Sequence, residues 1–228
     1  MATVVPKHSL PVRLFHWANV PILALMFWSG LLIYWAYDPY RIEIGGVVLF
    51  KFFPSAVYSA LGLEHGLATG MAWHFAFAWL FAINGVLYVA YTVWSGHWRE
   101  LAPTWRTPLD AWQVVLHDLG IRKEPLPPGK FNAAQKLAYT GIIFMGAGSL
   151  LTGLAILKPT QLAWLTGLFG GYQSARLIHF ALTIGYALFL VVHVAQVIKA
   201  GWNNFRAMVA GYEVEPEPQE SEHVRVET

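Results

Sequence analysis

Four stretches of the chain contain no Asp, Glu, Lys or Arg and are each longer than 20 residues. They occupy residues 15–37, 71–94, 137–157 and 177–198. An α-helix needs about 20 predominantly apolar residues to cross a bilayer. The pattern therefore predicts an all-α protein with four transmembrane helices in an up-down-up-down bundle. The first stretch is too long and too bulky for a cleavable signal peptide, so we expect it to remain in the membrane.

A further apolar segment at residues 44–63 is interrupted by Lys51 and Pro54 near its middle. We interpret it as an amphipathic or re-entrant element at the membrane surface rather than as a fifth span. Its expected use is to shield a cofactor or to dock a partner. The acidic residues 213–228 include two prolines and few apolar side chains, which predicts a disordered tail after one membrane domain at residues 1–212.

Charge is sparse and unevenly distributed: only 12% of the residues are charged, against about 25% in an average soluble domain. The N-terminal segment, the 95–136 connection and the C-terminal tail together carry 11 Lys and Arg, whereas the other two connections carry 4. The positive-inside rule therefore places both termini in the cytoplasm. The basic residues are scattered at the ends of loops, which argues against a nucleic-acid partner.

The chain has no cysteine. This excludes disulfides, thiolate zinc sites, iron–sulfur clusters and covalently attached c-type haem. Any redox centre must therefore be held by histidine or by another ligand that lacks a thiol.

Histidines are the chemically significant residues of the predicted spans. Of nine in the chain, four lie inside a span, namely His16, His74, His179 and His193. An ionisable side chain in a membrane helix is costly and carries a functional expectation. The alternative for any one of them is a neutral histidine that is hydrogen-bonded to a neighbouring helix. His179 and His193 are 14 residues apart, which is a rise of about 21 Å and about 40° less than four turns, so both face the same side of the bundle.

The alternating direction of the four helices sorts these histidines into two pairs. His16 and His193 fall in the cytoplasmic leaflet, and His74 and His179 fall in the periplasmic leaflet. A fifth span would place three of them on one side, so the pairing supports four spans. Two opposed imidazoles without a nearby carboxylate suit a haem b iron with both axial positions filled, whereas zinc prefers three or four protein ligands. We therefore predict two bis-histidine haems that transfer electrons across the membrane.

Two arginines extend the candidate site. Arg13 and Arg176 each precede a predicted ligand by three residues, at opposite membrane surfaces, where each could bind a haem propionate. The alternative is an arginine that reaches lipid headgroups. The five histidines outside the spans are His8, His65, His97, His117 and His223. We expect these five to be solvated, with only His65 as an alternative ligand.

Four motifs carry a resemblance to a known family. They are Arg13-Leu-Phe-His16-Trp17, Asn132-Ala-Ala-Gln135-Lys136, Ser174-Ala-Arg176-Leu-Ile-His179 and His193-Val194. With these motifs the chain resembles, over about residues 8–211, the bacterial di-haem cytochrome b family, which includes the membrane cytochromes of nickel-iron hydrogenases, formate dehydrogenases and thiosulfate reductases. The resemblance implies an electron-transfer subunit of a membrane oxidoreductase complex in the bacterial cytoplasmic membrane.

The resemblance also implies quinone or quinol as a diffusible substrate and a periplasmic redox subunit as partner. In such relatives the quinone site lies beside the cytoplasmic haem at the start of the third helix, which implies Asn132 and Gln135 here; Asn132 could equally cap that helix. The runs at 170–176 and 202–205 are similar to those of relatives that accompany a periplasmic molybdopterin oxidoreductase, so this partner is favoured over a hydrogenase.

Three other functions remain open from the sequence. A stand-alone haem oxidoreductase could act on a small oxidant such as superoxide, with quinone as the electron acceptor. A transmembrane ferric reductase usually carries both ligands on each of two helices, and here only the fourth helix has two. A histidine-based transporter or proton relay would bind no haem and would be colourless.

Overall fold

The computed structural model describes residues 3–37, 40–124 and 131–215. In chain order the elements are β1 (Thr3–Pro6), α1 (Leu10–Ala36), β2 (Arg41–Ile44), β3 (Val47–Lys51), α2 (Ser55–Leu61), α3 (Leu67–Trp94), α4 (Trp98–Leu101), α5 (Thr107–Asp118), α6 (Ala133–Leu157), α7 (Ala163–Leu168), α8 (Tyr172–Ala210) and β4 (Tyr212–Glu215).

Four helices, α1, α3, α6 and α8, are long and apolar enough to span a membrane. Three contain a whole predicted span, and α1 contains the first span except for its last residue, Tyr37. α1 packs mainly against α3, and α6 packs against α8. Large apolar side chains cover their outer faces: Trp79 is 71% exposed, Phe144 72% and Val191 69%. A continuous apolar surface of this kind is suited to lipid and not to water. The predicted four-helix membrane bundle is confirmed.

The segment at 41–51 forms an antiparallel hairpin of β2 and β3, and the short helix α2 follows it. Gly45 and Gly46 form the turn with φ values of 59° and 82°, and positive φ at both positions is typical of a two-residue type I′ turn. The β-branched residues on either side favour strands. Within the described residues there is no fifth span, in agreement with the prediction, whereas the two strands differ from the amphipathic or re-entrant element that the sequence indicates.

At the opposite end of the bundle, β1 and β4 form an antiparallel ribbon in which Val4 lies opposite Val214. The Nζ of Lys7 donates hydrogen bonds to Asn204 Oδ1 at 3.0 Å and to Glu213 Oε1 at 2.6 Å. These contacts fasten the segment that precedes α1 to the C-terminal part of α8 and to β4. We call this end of the bundle the ribbon end, and the end that carries β2 and β3 the hairpin end.

The C-terminal part of α8 departs from a regular helix. Gly201 has φ of 80° and ψ of 179°, so the residues after it form a separate helical segment at the ribbon end. Glycine reaches such a conformation without the steric cost that a Cβ would bring. Residues 213–215, predicted as the start of a disordered tail, lie instead in β4. The rest of that predicted tail, 216–228, lies outside the described residues.

The amphipathic helix α5 is attached to α8 by an acidic side chain. Asp118 accepts hydrogen bonds from Gln196 Nε2 at 2.7 Å and from Lys199 Nζ at 2.7 Å. Partial burial by itself would raise the pKa of Asp118, but the hydrogen bonds from Lys199 and Gln196 outweigh it and hold the pKa below its ordinary value. The carboxylate therefore connects the long 95–136 segment to the end of the last span.

We expect Asp118→Asn to lower the free energy that holds α5 against α8 by about 1 kcal/mol or less, because the Asp118–Lys199 ion pair is partly exposed. The pKa of Asp118 is lowered in the folded protein, so its stabilising effect is present above the ordinary aspartate pKa and is lost as the pH falls through the lowered value. Hydrogen exchange of the α5 amides should be faster in the variant at pH 7 and equal in both proteins at strongly acidic pH. Equal exchange at pH 7 would contradict this role.

Candidate functional site

The structure brings the four histidines of the spans together in two pairs. The ring centroids of His74 on α3 and His179 on α8 lie 6.3 Å apart. Those of His16 on α1 and His193 on α8 lie 6.0 Å apart. Because the helices run in alternating directions, the first pair lies at the hairpin end and the second at the ribbon end. The bundle thus holds one imidazole pair near each membrane surface.

The spacing within each pair suits a metal ion bound between the two rings. Metal–nitrogen bonds of about 2.0 Å and a nitrogen-to-centroid distance of roughly 1.2 Å would place the centroids about 6.4 Å apart. Both observed separations are close to that value. Within the described residues, no group of three or more His, Cys, Asp or Glu side chains could hold a metal ion. Two ligands per site fit the axial positions of a haem and do not fit zinc.

A largely apolar cleft lies beside the hairpin-end pair. It is lined by Leu23, Met26, Phe27, His74, Phe81, Ser149, His179, Thr183 and Tyr186. An apolar surround of this kind limits water at the imidazoles.

Two buried hydroxyl groups contact the histidines at the hairpin end. Ser29 Oγ on α1 lies 3.0 Å from His74 Nδ1, and Thr152 Oγ1 on α6 lies 2.9 Å from His179 Nδ1. Both hydroxyl residues are 0% exposed. These two residues are absent from the sequence prediction of the site, although each stands directly before a glycine inside a span.

A close approach of α1 and α3 places Ser29 beside His74. A Cβ on Gly70 would lie 2.6 Å from Leu32 Cβ and 3.0 Å from the Ser29 carbonyl oxygen, so only glycine permits this contact of the two backbones. Small residues allow membrane helices to approach in the same way elsewhere. Gly70 therefore contributes to the site through the position of α1.

The ribbon-end pair has different surroundings. The His193 ring stacks on Phe189, with centroids 5.6 Å apart and planes 10° from parallel. The Trp17 ring meets His16 edge-on at 5.2 Å. His16 Nδ1 is buried and has no hydrogen-bond partner among the described residues. Aromatic packing orients these two rings, in contrast to the hydroxyl contacts at the hairpin end.

The two predicted arginines lie at opposite ends of the bundle. Arg13 Nη1 donates to the Ala210 carbonyl at 2.9 Å, and its buried Nε has no hydrogen-bond partner within the described part of the chain. Arg176 lies over the Tyr37 ring at 4.8 Å and donates to Gln173 Oε1 at 3.3 Å. Arg13 is therefore anchored by one nitrogen and keeps another available in a buried position near His16.

Asn132 and Gln135 form a reciprocal capping box at the start of α6. Gln135 N donates to Asn132 Oδ1 at 2.9 Å, and Asn132 N donates to Gln135 Oε1 at 3.0 Å. Each side-chain oxygen satisfies a backbone donor that a helix start leaves without a partner. The capping role considered for Asn132 is thus present, and it includes Gln135.

His65 does not join either pair. It lies in the connection before α3, with φ of 63°, and its ring packs on Trp35 at 4.8 Å. The ring that lies beside His179 is that of His74. The geometry therefore gives His65 a place on the aromatic surface of the hairpin end.

A polar cavity of about 210 Å³ lies at the ribbon end and is absent from the sequence prediction. Its lining residues are Lys7, His8, Ser9, Val12, Tyr91, Ser95, Gly96, His97 and Glu100. Ser9 and Tyr91 join their hydroxyl groups at 2.9 Å, and His97 Nδ1 lies 3.2 Å from Glu100 Oε2. Val12 belongs to the same wall and precedes His16 by one helical turn. The cavity therefore lies close to the ribbon-end pair.

Comparison with known proteins identifies the family. The sequence model of "Prokaryotic cytochrome b561" matches residues 7–211. The chain is also 31% identical over 194 residues to the "Putative protein-methionine-sulfoxide reductase subunit YedZ1" of Azospira oryzae, an alignment that covers 83% of this chain and 89% of that protein. The chain belongs to the prokaryotic cytochrome b561 family, whose members are multi-pass membrane proteins that bind haem b and transfer electrons.

Proposed function

We propose that the chain carries electrons across the membrane, from a quinol at the ribbon end to a redox partner at the hairpin end, by means of two bis-histidine haems. The observation that carries this proposal is the presence of two imidazole pairs at opposite ends of one bundle, with ring separations of 6.0 and 6.3 Å. Each haem, when bound, would supply reversible one-electron transfer. The two sites are separated by about 21 Å along α8.

The chain's own residues would hold and orient each haem and would keep substrate away from its iron. His16 with His193 would hold one haem and His74 with His179 the other, so that no substrate would reach either iron directly. The buried, unpartnered Nε of Arg13 offers a charged donor for a propionate at the ribbon end, and this is an observation that fits the group. A site without an open coordination position supports a relay rather than a haem-centred reaction on a small oxidant.

The polar cavity at the ribbon end is the proposed site of quinol oxidation. It lies about 6 Å along α1 from His16, measured from Val12. A quinol that becomes a quinone releases two electrons and two protons, so its site needs a base as well as a nearby electron acceptor. The His97 ring can accept one proton and the Glu100 carboxylate, 3.2 Å from it, can accept the other. Ser9 and Tyr91 can hydrogen-bond the oxygens of the head group.

The two residues implied by the resemblance, Asn132 and Gln135, are linked to this cavity through the neighbouring Phe131. Asn132 follows Phe131, whose ring lies 6.2 Å from that of His97. Capping occupies the side-chain oxygens of Asn132 and Gln135, and their amide N–H groups can still donate to a quinone oxygen. Both residues stay in the proposal as donors at the edge of the site.

The name of the relative supports the proposed direction of electron flow and the proposed partner. That name describes a subunit of a protein-methionine-sulfoxide reductase. Reduction of a sulfoxide to a thioether consumes two electrons and two protons and releases water, so a partner of this class would draw electrons from the membrane. The ribbon end belongs to the side of the membrane that carries 11 Lys and Arg, against 4 on the other side. We therefore place the ribbon end in the cytoplasm and the partner in the periplasm. The oxidoreductase class that contains molybdopterin stays the favoured one.

The test is reduction of the purified protein in liposomes by a quinol, followed by haem absorbance. The wild type should show two b-type haems per chain and be reduced by both quinol and dithionite. We expect His97→Gln to slow reduction by quinol roughly 100-fold, the usual effect of removing a general base, and to leave reduction by dithionite unchanged.

His117→Gln is the matched control, since His117 belongs to α5 and does not line the cavity. It should be reduced by quinol at the wild-type rate. Equal quinol rates in His97→Gln and the wild type would remove the cavity from the proposal. A protein that bound no haem would contradict the proposed function as a whole.

A further inference from the structure

The two hydroxyl contacts at the hairpin end are built alike. In each, a Ser or Thr on one helix meets the Nδ1 of a histidine on the helix that packs against it: α1 with α3 for Ser29 and His74, and α6 with α8 for Thr152 and His179. A glycine follows each hydroxyl residue and lies against the same ring. A Cβ at Gly30 would lie 3.7 Å from His74 Cε1, and one at Gly153 would lie 3.5 Å from His179 Cε1.

The backbone decides which atom donates in each contact. Ser29 Oγ lies 2.6 Å from the Leu25 carbonyl oxygen, and Thr152 Oγ1 lies 2.7 Å from the Gly148 carbonyl oxygen. A carbonyl oxygen only accepts, and a hydroxyl has one proton, so that proton is donated to the backbone. The hydroxyl oxygen must then accept from the ring, which places a proton on Nδ1. The neutral imidazole consequently has its lone pair on Nε2.

We propose that Ser29 and Thr152 are positioning residues that hold His74 and His179 as Nδ1–H tautomers and lower the reduction potential of the haem between them. The inference rests on the haem site of the proposed function. It adds that α1 and α6, neither of which supplies a ligand at that end, control the reduction potential of this haem through Ser29 and Thr152. A hydrogen bond from Nδ1–H makes Nε2 a stronger electron donor to a metal. A stronger donor stabilises the ferric state and so lowers the potential.

The ribbon-end pair provides an internal comparison. His16 Nδ1 is buried and has no hydrogen-bond partner among the described residues. Its Nε2 therefore gains no donor strength from an acceptor of that kind. The hydroxyl contacts should therefore lower the potential of the hairpin-end haem alone.

The experiment measures the potentials of both haems by spectroelectrochemistry in Ser29→Ala and Thr152→Ala. Each substitution should raise the potential of the hairpin-end haem. At a fixed ambient potential, its ratio of reduced to oxidised haem should rise roughly fivefold, the equivalent of one hydrogen bond. The ribbon-end haem should not change. The electron paramagnetic resonance g values of the hairpin-end ferric haem should shift in the same variants.

Conservative variants separate positioning from packing. Ser29→Thr and Thr152→Ser keep a hydroxyl and should keep the wild-type potential. Thr166→Ala is the matched control, because Thr166 Oγ1 is also bonded to backbone carbonyls at 3.1 and 3.2 Å but contacts neither histidine pair. It should leave both potentials unchanged.

Unchanged potentials and g values in both alanine variants, with two haems still bound, would overturn the inference and leave the proposed function standing. An equal rise in Thr166→Ala would also overturn it, since the effect would then be a general response to a lost hydroxyl. Absence of haem from the wild type would instead contradict the proposed function itself. Haem content by pyridine haemochrome distinguishes these outcomes.

Discussion

Replacement of His74 or His179 by alanine is expected to remove one haem per chain and to leave the other haem in place. Each of these imidazoles would supply one of two axial bonds, and alanine has no group that could replace it. The remaining pair, His16 and His193, shares no hydrogen bond or ring contact with the hairpin-end pair in the described structure. Pyridine haemochrome stoichiometry should therefore fall from two haems to about one in either variant.

His65→Ala is the control for this experiment. It removes a histidine at the same end of the bundle, one that packs on Trp35 and lies in neither pair. The variant should retain two haems with unchanged spectra. Loss of a haem in His65→Ala but not in His74→Ala would show that His65, and not His74, is the ligand. Retention of both haems in His179→Ala would contradict the pairing.

The spans and the pairing of the histidines were accessible from the sequence because both depend on simple periodic geometry. A stretch of more than 20 residues without a charge has few structures open to it other than a membrane helix. Once four helices alternate in direction, the depth of His16 and His74 follows from their distance to a helix end. The 14-residue spacing of His179 and His193 then sets both on one side of α8.

The hydroxyl contacts and the polar cavity were not accessible in this way, because each depends on which helix faces which. Ser29 and Thr152 look like ordinary small residues of a membrane helix, where bonding to a backbone carbonyl four residues earlier is common. Only the packing of α1 on α3 and of α6 on α8 shows that a histidine completes the contact. The paired Ser-Gly and Thr-Gly steps were the available signal.

The sequence contains a local pattern that predicts the hairpin of β2 and β3, but a search for membrane spans by hydropathy does not detect it. Gly45-Gly46 between β-branched residues is typical of a type I′ hairpin turn. Hydropathy alone makes the same residues look like an interrupted span. Rings from this connection, Phe52 and Phe53, reach Phe180 at 5.1 and 6.5 Å, directly beside His179. The connection therefore packs aromatic side chains against α8 at the hairpin end.

Quinol is expected to reduce the haem at the ribbon end directly and the haem at the hairpin end only through it. His179→Ala would keep the pair at the ribbon end, next to the polar cavity, and its single haem should be reduced by quinol at close to the wild-type rate. His193→Ala would keep only the distant pair, about 21 Å along α8. Its haem should be reduced by dithionite normally and by quinol more than an order of magnitude more slowly.

A membrane-impermeant oxidant makes the same distinction from the other side. In liposomes sorted by orientation, external ferricyanide should oxidise the haem of His193→Ala when the hairpin end faces outward, and the haem of His179→Ala when the ribbon end does. Matching dependence on orientation in the two variants would contradict the assignment of the pairs to opposite ends. Fast quinol reduction of His193→Ala would move the quinol site to the hairpin end, where Ser29 and Thr152 would then act beside it.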